Sequence, residues 1–188
     1  KLGESIFSDK LTVIDKPQVK GTSFSRNFDD EGIATSEKQI IENGKLNSYL
    51  YDLEYGAKMD TASTGNGMKN TLFGGGIDTA VNPSFVYPVI SPGNKSKAEL
   101  LAEVNEGILV ENVIGFHSSN YTQGHFSAQA HGFHIKDGKL EGRLEDVMLA
   151  GNIYEDFKNI IGIGDRIILS EMGGFPYILV DQLSVTGE

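Results

Sequence analysis

Ile41-Glu42-Asn43-Gly44-Lys45-Leu46 and Ile135-Lys136-Asp137-Gly138-Lys139-Leu140 are nearly the same hexapeptide written twice. Each sets an Asn-Gly or Asp-Gly pair between apolar flanks, the strongest short-range signal for an antiparallel hairpin. A type I′ turn needs positive φ at both central residues, which glycine accepts freely and Asn or Asp tolerate. The echo has two readings: internal duplication, or two hairpins that met the same backbone demand.

Working outward, Leu11-Thr12-Val13-Ile14 is a β-branched run stopped by Asp15 and Pro17, and reads as a strand. Phe126 to Ile135 and Tyr177 to Val185 read as strands too. Asp52 to Met59 fits a short helix weakened by Gly56. Ser96-Lys97-Ala98-Glu99 is a capping box, so a helix is expected from Lys97 to about Asn105, ended at Gly107. Ile153, Phe157, Ile160 and Ile161 lie at helical spacing after Asn152, and Gly162 would stop that helix. The expected fold class is α+β: mostly short antiparallel strands and hairpins with two or three helices, in a single domain spanning residues 1–188.

Composition narrows the function. Of 188 residues, 39% are hydrophobic, enough for a real core. The 23 glycines imply many tight turns between short strands. A net charge of −10 without any basic block repels phosphate, so nucleic acid is not an expected partner. No apolar run approaches the roughly 18 residues of a membrane span, and Lys1 to Val13 has no signal-peptide core, so no membrane is expected either. The absence of cysteine excludes disulfides and thiolate metal sites, and fits a cytoplasmic location.

Two polar strings stand apart from this pattern: Phe28-Asp29-Asp30-Glu31-Gly32 and Ser63-Thr64-Gly65-Asn66-Gly67. Both read as tight turns. Asp29, Asp30 and Glu31 are the densest carboxylate cluster, but three consecutive residues cannot converge on one reacting atom. They read either as a turn lining a peptide cleft through its backbone or as an Asx-type turn leading into the next strand. Thr61 to Thr79, with its three consecutive glycines Gly74-Gly75-Gly76, lacks the Gly-Lys-Ser/Thr of a phosphate loop. It is expected to be a mobile surface segment serving a cleft or a subunit interface. No serine nucleophile elbow occurs.

Four histidines are present, at 117, 125, 131 and 134. On a strand His125 and His131 share a face, but about 20 Å of extended chain separates them. A metal shared by His125 and His131 would need the strand broken at a glycine, or His117 brought in from a neighbour. Solvated or hydrogen-bonded imidazoles are the alternative.

The ordered series formed by the two strings, the Asn43-Gly44 hairpin, Leu149-Ala150-Gly151-Asn152 and Val185-Thr186-Gly187 resembles the carboxy-terminal domain of the TldD/PmbA family, once called modulators of DNA gyrase and regarded as metalloprotease subunits. The resemblance covers Leu2 to Gly187 and departs at Gly124-His125-Phe126, where the family shows Gly-Asp-Phe. Catalytic TldD subunits carry a His-Glu-x-x-x-His helix and a late cysteine ligand. This chain has no His-Glu pair and no cysteine, and the stretch Ile167 to Pro176, where that cysteine would fall, has none. The pattern therefore resembles a PmbA/TldE-type subunit, with an amino-terminal domain and any metal helix expected upstream.

The resemblance implies no catalytic residues and no cofactor in this chain, with zinc in a TldD-type partner; a homodimer is the other assembly to weigh. It implies proteolysis of short or unfolded peptides, such as peptide-antibiotic precursors and an antitoxin. The cleft or interface residues would be Asp29, Asp30, Glu31, Ser63, Thr64, Gly65, Asn66 and Gly67. Two alternatives stand beside it. One is a stand-alone metallopeptidase whose metal helix lies upstream. The other is a non-enzymatic interaction protein modulating gyrase or a toxin–antitoxin system.

Overall fold

The computed structural model describes residues 1–20, 22–70, 76–115, 119–120 and 122–187. In chain order the elements are β1 (Val13–Asp15), β2 (Lys38–Glu42), β3 (Lys45–Leu46), α1 (Leu53–Lys58), β4 (Gly67–Met68), β5 (Asn82–Pro83) and β6 (Pro88–Ile90). Then follow α2 (Lys97–Ala102), β7 (Glu106–Ile114), β8 (His125–Lys136), β9 (Lys139–Asn152) and α3 (Ile153–Asp156). β10 (Ile160–Ile163), β11 (Ile168–Ser170), β12 (Gly173–Phe175), β13 (Ile178–Val180) and β14 (Ser184–Thr186) complete the chain. Mostly short strands in largely antiparallel sheets, with three small helices among the described residues, make this an α+β fold. The chain forms two compact units of interleaved sequence.

Unit 1 comprises Lys1–Ser5, Leu11–Ser91 and Ile167–Phe175. Its sheet runs β11-β12-β6-β1-β2-β3, antiparallel except where β12 lies parallel to β6. Leu11, Ile40, Met68, Tyr87 and Val89 are its buried apolar side chains. Tyr87 stacks on Phe24 with ring centroids 5.5 Å apart, and its hydroxyl donates to the Ser170 carbonyl. The first hairpin forms as the sequence demands, with φ of 48° at Asn43 and 77° at Gly44. Helix α1 also forms, capped by the Asp52 carboxylate, which accepts from Tyr55 N at 2.7 Å. Leu53 points outward, and Gly56 is the buried residue. A side chain at Gly56 would crowd the backbone of Thr61, Ala62 and Ser63, so this glycine permits a close approach.

Unit 2 comprises Ile6–Lys10, Pro92–Arg166 and Pro176–Glu188. Its main sheet runs β14-β9-β8-β7, and the second hairpin turns at Asp137 (φ 47°) and Gly138 (φ 74°). Ala130, Val147 and Leu149 form the buried centre, with Ile108, Val110, Phe126 and Leu144 packed on it. The capping box forms as expected, but α2 ends at Ala102, earlier than Asn105, and Ile108 belongs to β7.

Two expectations fail in unit 2. The helix from Ile153 stops after Asp156, and Ile160–Ile163 is strand β10, paired with β13. The isoleucines there serve a strand: Ile160 is buried and Ile161 half-exposed. Pairing with Ile178–Val180 outweighed the helical spacing, since β-branched residues suit a pleated surface. The expected strand from Tyr177 to Val185 divides into β13 and β14, which join different sheets.

Candidate functional site

The two polar strings meet inside unit 1 and are fastened by backbone hydrogen bonds. The Asp29 carboxylate accepts from Glu31 N (3.0 Å) and Ile33 N (2.8 Å), which closes the acidic turn on itself. Its second oxygen accepts from Gly67 N at 2.9 Å. Asp30 N donates to the Gly67 carbonyl at 2.9 Å, and the Asp30 carboxylate accepts from Lys69 N at 2.7 Å. Arg26 reaches the same carboxylate at 3.1 Å. Glu31 accepts from Leu53 N at 2.8 Å, placing an acid at the amino end of α1.

The second string is anchored equally tightly. Ser63 Oγ donates to the Tyr51 carbonyl at 3.1 Å, and Thr64 Oγ1 accepts from Tyr51 N at 2.8 Å. The Thr64 hydroxyl also bonds Asn66 Oδ1 at 2.8 Å. Gly65 sits at φ +70°, where a Cβ would lie 2.4 Å from the Ala34 carbonyl oxygen. A Cβ on Gly67 would meet the Glu31 carboxylate at 2.3 Å. At Gly65 only glycine fits a left-handed backbone this close to the Ala34 carbonyl.

Beneath them lies a centre that sequence reading missed. Asp15 is fully buried at the end of β1. It accepts from Asn66 Nδ2 at 2.6 Å, Val86 N at 2.9 Å and Tyr87 N at 3.0 Å. Lys38 Nζ lies 3.6 Å away. Burial, the largest influence, pulls the Lys38 ammonium below its ordinary value, while the Asp15 and Asp29 carboxylates pull it back up. Asn66 also donates to the Ser84 carbonyl at 2.9 Å. In the sequence Asp15 reads as a strand stop. Its partners lie 51 and 71 positions further on, beyond any local pattern.

The structure thus brings Asp29, Asp30, Glu31, Ser63, Thr64, Gly65, Asn66 and Gly67 together. The Asp29, Asp30 and Glu31 carboxylates each accept from backbone amides, those of Glu31, Ile33 and Gly67, of Lys69, and of Leu53. The expectation of a surface segment fails for Gly65–Met68, which are buried, Asn66 and Met68 almost completely. Residues 71–75 of that segment, including Gly74 and Gly75, lie outside the described residues. Phe28 is exposed beside the acidic turn, and Leu53 is exposed beside the Glu31 contact.

The histidines of unit 2 are occupied differently. The His125 ring lies 3.4 Å from the Asn152 amide. His131 Nε2 is 3.8 Å from the Asp146 carboxylate, and His134 bridges Glu106 and Glu141. Among the described residues no three His, Asp or Glu side chains group as a metal-binding set. His117 lies outside the described residues. Burial raises the Asp156 carboxyl above its ordinary value, against the backbone amide of Asn152.

Fold and site together define a β-rich α+β domain in which an acidic turn and a Gly-Asn-Gly string are locked by backbone bonding. The family model described as the PmbA/TldA metallopeptidase C-terminal domain matches residues 1–187, and the chain belongs to that family. It is 28% identical to a metalloprotease PmbA homologue of Buchnera aphidicola, over 99% of this chain and 38% of that protein. A metalloprotease of Methanocaldococcus jannaschii is 35% identical over 82% of this chain and 33% of its own length. Among solved structures, TldE from Thermococcus kodakarensis superposes with a TM-score of 0.85 at 29% identity, covering 100% of this chain and 42% of that one. A candidate modulator of DNA gyrase from Thermotoga maritima gives 0.86 at 32%, covering 99% and 41%. The chain therefore spans well under half the length of these relatives.

Proposed function

We propose that this chain serves as the carboxy-terminal domain of a non-catalytic PmbA/TldE-type subunit. Its partner would be a zinc-bearing TldD-type subunit, in a cytoplasmic complex that cleaves short or unfolded peptides. The observation that carries this reading is the β11–β12 hairpin. It occupies the stretch where the resemblance puts a catalytic subunit's cysteine, and it holds no thiol and no imidazole. Its Ser170 hydroxyl donates to the Gly173 carbonyl at 3.1 Å, tying the turn to itself.

The locked strings support a structural share in a peptide-enclosing chamber. A frame whose acceptors are already filled presents shape and apolar side chains to a ligand, without chemistry of its own. The outer edge of β11, without a strand partner among the described residues and with Ile168 and Leu169 half-exposed, suits an extended peptide added as a further strand. Cleavage of an unstructured peptide by the full-length protein, assayed alone and with a TldD-type subunit, tests the proposal. Cleavage only in the mixture is expected. Zinc-dependent cleavage by the protein alone would establish a stand-alone peptidase instead.

A further inference from the structure

The sequence holds two Asn-Gly pairs, Asn43-Gly44 and Asn66-Gly67, both in unit 1. In water an asparagine carboxamide is open to attack by the next residue's backbone nitrogen. Glycine in that next position leaves the nitrogen unshielded, because it carries no side chain. The fold puts the two pairs in opposite surroundings.

Asn66 is fully buried and its carboxamide is held at both ends. Nδ2 donates to Asp15 at 2.6 Å and to the Ser84 carbonyl at 2.9 Å, and Oδ1 accepts from Thr64 at 2.8 Å. The attacking atom is held as well, since Gly67 N donates to Asp29 at 2.9 Å. Reaction there requires all of these contacts to break together, which means opening the buried centre of unit 1. Asn43 sits exposed at a hairpin tip, and its carboxamide bonds to no group among the described residues. Gly44 N donates to the Leu11 carbonyl at 2.8 Å, and Asn43 N to Thr12 Oγ1 at 3.1 Å. Freeing the Gly44 nitrogen is therefore a local event at a loop tip, the kind of site where opening costs least.

We propose that Asn43 is a site of spontaneous deamidation in the folded chain, and that the Asp15–Asn66 centre shields the second Asn-Gly pair from the same reaction. The Gly44 nitrogen gives up its proton to base and attacks Asn43 Cγ. The carboxamide nitrogen leaves as ammonia and a succinimide ring closes. Water then opens either ring carbonyl, giving aspartate or isoaspartate. The net change consumes a water and releases an ammonia, with no oxidant, metal or enzyme. Aspartate fits the turn, since Asp137 holds φ 47° at the same place in the second hairpin. Isoaspartate carries the backbone through an added methylene and spoils the Glu42–Lys45 pairing. The inference does not depend on the peptidase reading above.

The test is a timed peptide map by mass spectrometry of the 188-residue chain, kept folded or in denaturing urea at mildly alkaline pH. In denaturing urea the two pairs should convert at similar rates. In the folded chain Asn43 should convert at least about tenfold faster than Asn66. Urea below the unfolding transition should raise the Asn66 rate in step with the unfolded fraction and leave the Asn43 rate nearly unchanged. Asn43→Asp should melt like the parent, and aged chains rich in isoaspartate at 43 should melt lower. Equal rates in the folded chain, faster conversion at Asn66, or a folded chain inert at Asn43 while its urea-unfolded form reacts would each overturn the proposal.

Discussion

At the scale of single residues, the Asp15–Asn66 pair is the most consequential contact in unit 1. Both side chains are fully buried, and the amide supplies the 2.6 Å donor to a carboxylate that also holds two backbone amides. Asn66→Ala removes that donor and strands the Ser84 carbonyl, so it should destabilise the chain by ~3 kcal/mol in urea unfolding. Asn66→Asp should be at least as damaging, because it sets a second carboxylate against Asp15. Gly65→Ala meets both a left-handed backbone and the Ala34 carbonyl at 2.4 Å, and should cost at least ~2 kcal/mol. A Gly65→Ala chain as stable as the parent would refute the close approach of Gly65 to the Ala34 backbone.

Secondary-structure elements succeed where their signals are local. In α2 the Ser96 hydroxyl accepts from Glu99 N, and Glu99 accepts from Ser96 N at 2.7 Å. Ser96→Ala should cost ~1 kcal/mol at neutral pH. Hydrogen bonds from Ser96, its backbone amide first, hold the Glu99 carboxyl below its ordinary value of 4.5. A depressed carboxyl stabilises the fold above its unfolded pKa, and that contribution is lost as pH falls through the folded value. The Ser96→Ala penalty should therefore shrink in acid without vanishing, because the hydroxyl's acceptance from Glu99 N does not titrate. In the first hairpin, Gly44→Val forces a β-branched residue to φ near 77° and should cost ~1–2 kcal/mol. Unchanged melting of Gly44→Val would show the turn to be of another type.

For the molecule as a whole, order and metal content are the measurable consequences. The Gly67 amide is buried and donates to Asp29, so it should exchange slowly in the isolated chain. Asp29→Ala should speed that exchange by an order of magnitude or more, while amides of the β8–β9 ladder in unit 2 keep their rates. Rapid exchange at Gly67 in the parent chain would show that the strings lock only with a partner present. The three histidines of β8 lean on separate neighbours, and thiols are absent from the sequence. Elemental analysis should accordingly find no stoichiometric zinc on the isolated chain. About one zinc per chain, lost in His125→Ala or His131→Ala, would reverse that expectation.

Sequence by itself determined the pieces whose causes lie within a few residues. Asn43-Gly44 and Asp137-Gly138 specified their hairpins because positive φ is a demand on those residues alone. The same holds for the Ser96–Glu99 capping box, whose partners are three residues apart. The ordered strings were enough to point to the family that the comparisons then showed. Tertiary structure alone decided three other things. It made Ile160–Ile163 a strand, because pairing with Ile178–Val180 overrode a helical spacing. It turned Asp29, Glu31 and Asn66 from free-looking polar groups into acceptors and donors for distant backbone. And it placed Asp15 under Asn66, with no local trace of either partner in the other's neighbourhood. The reason is common to all three. A buried polar group or a strand edge is satisfied by whatever the fold brings to it, and that partner can lie anywhere along the chain.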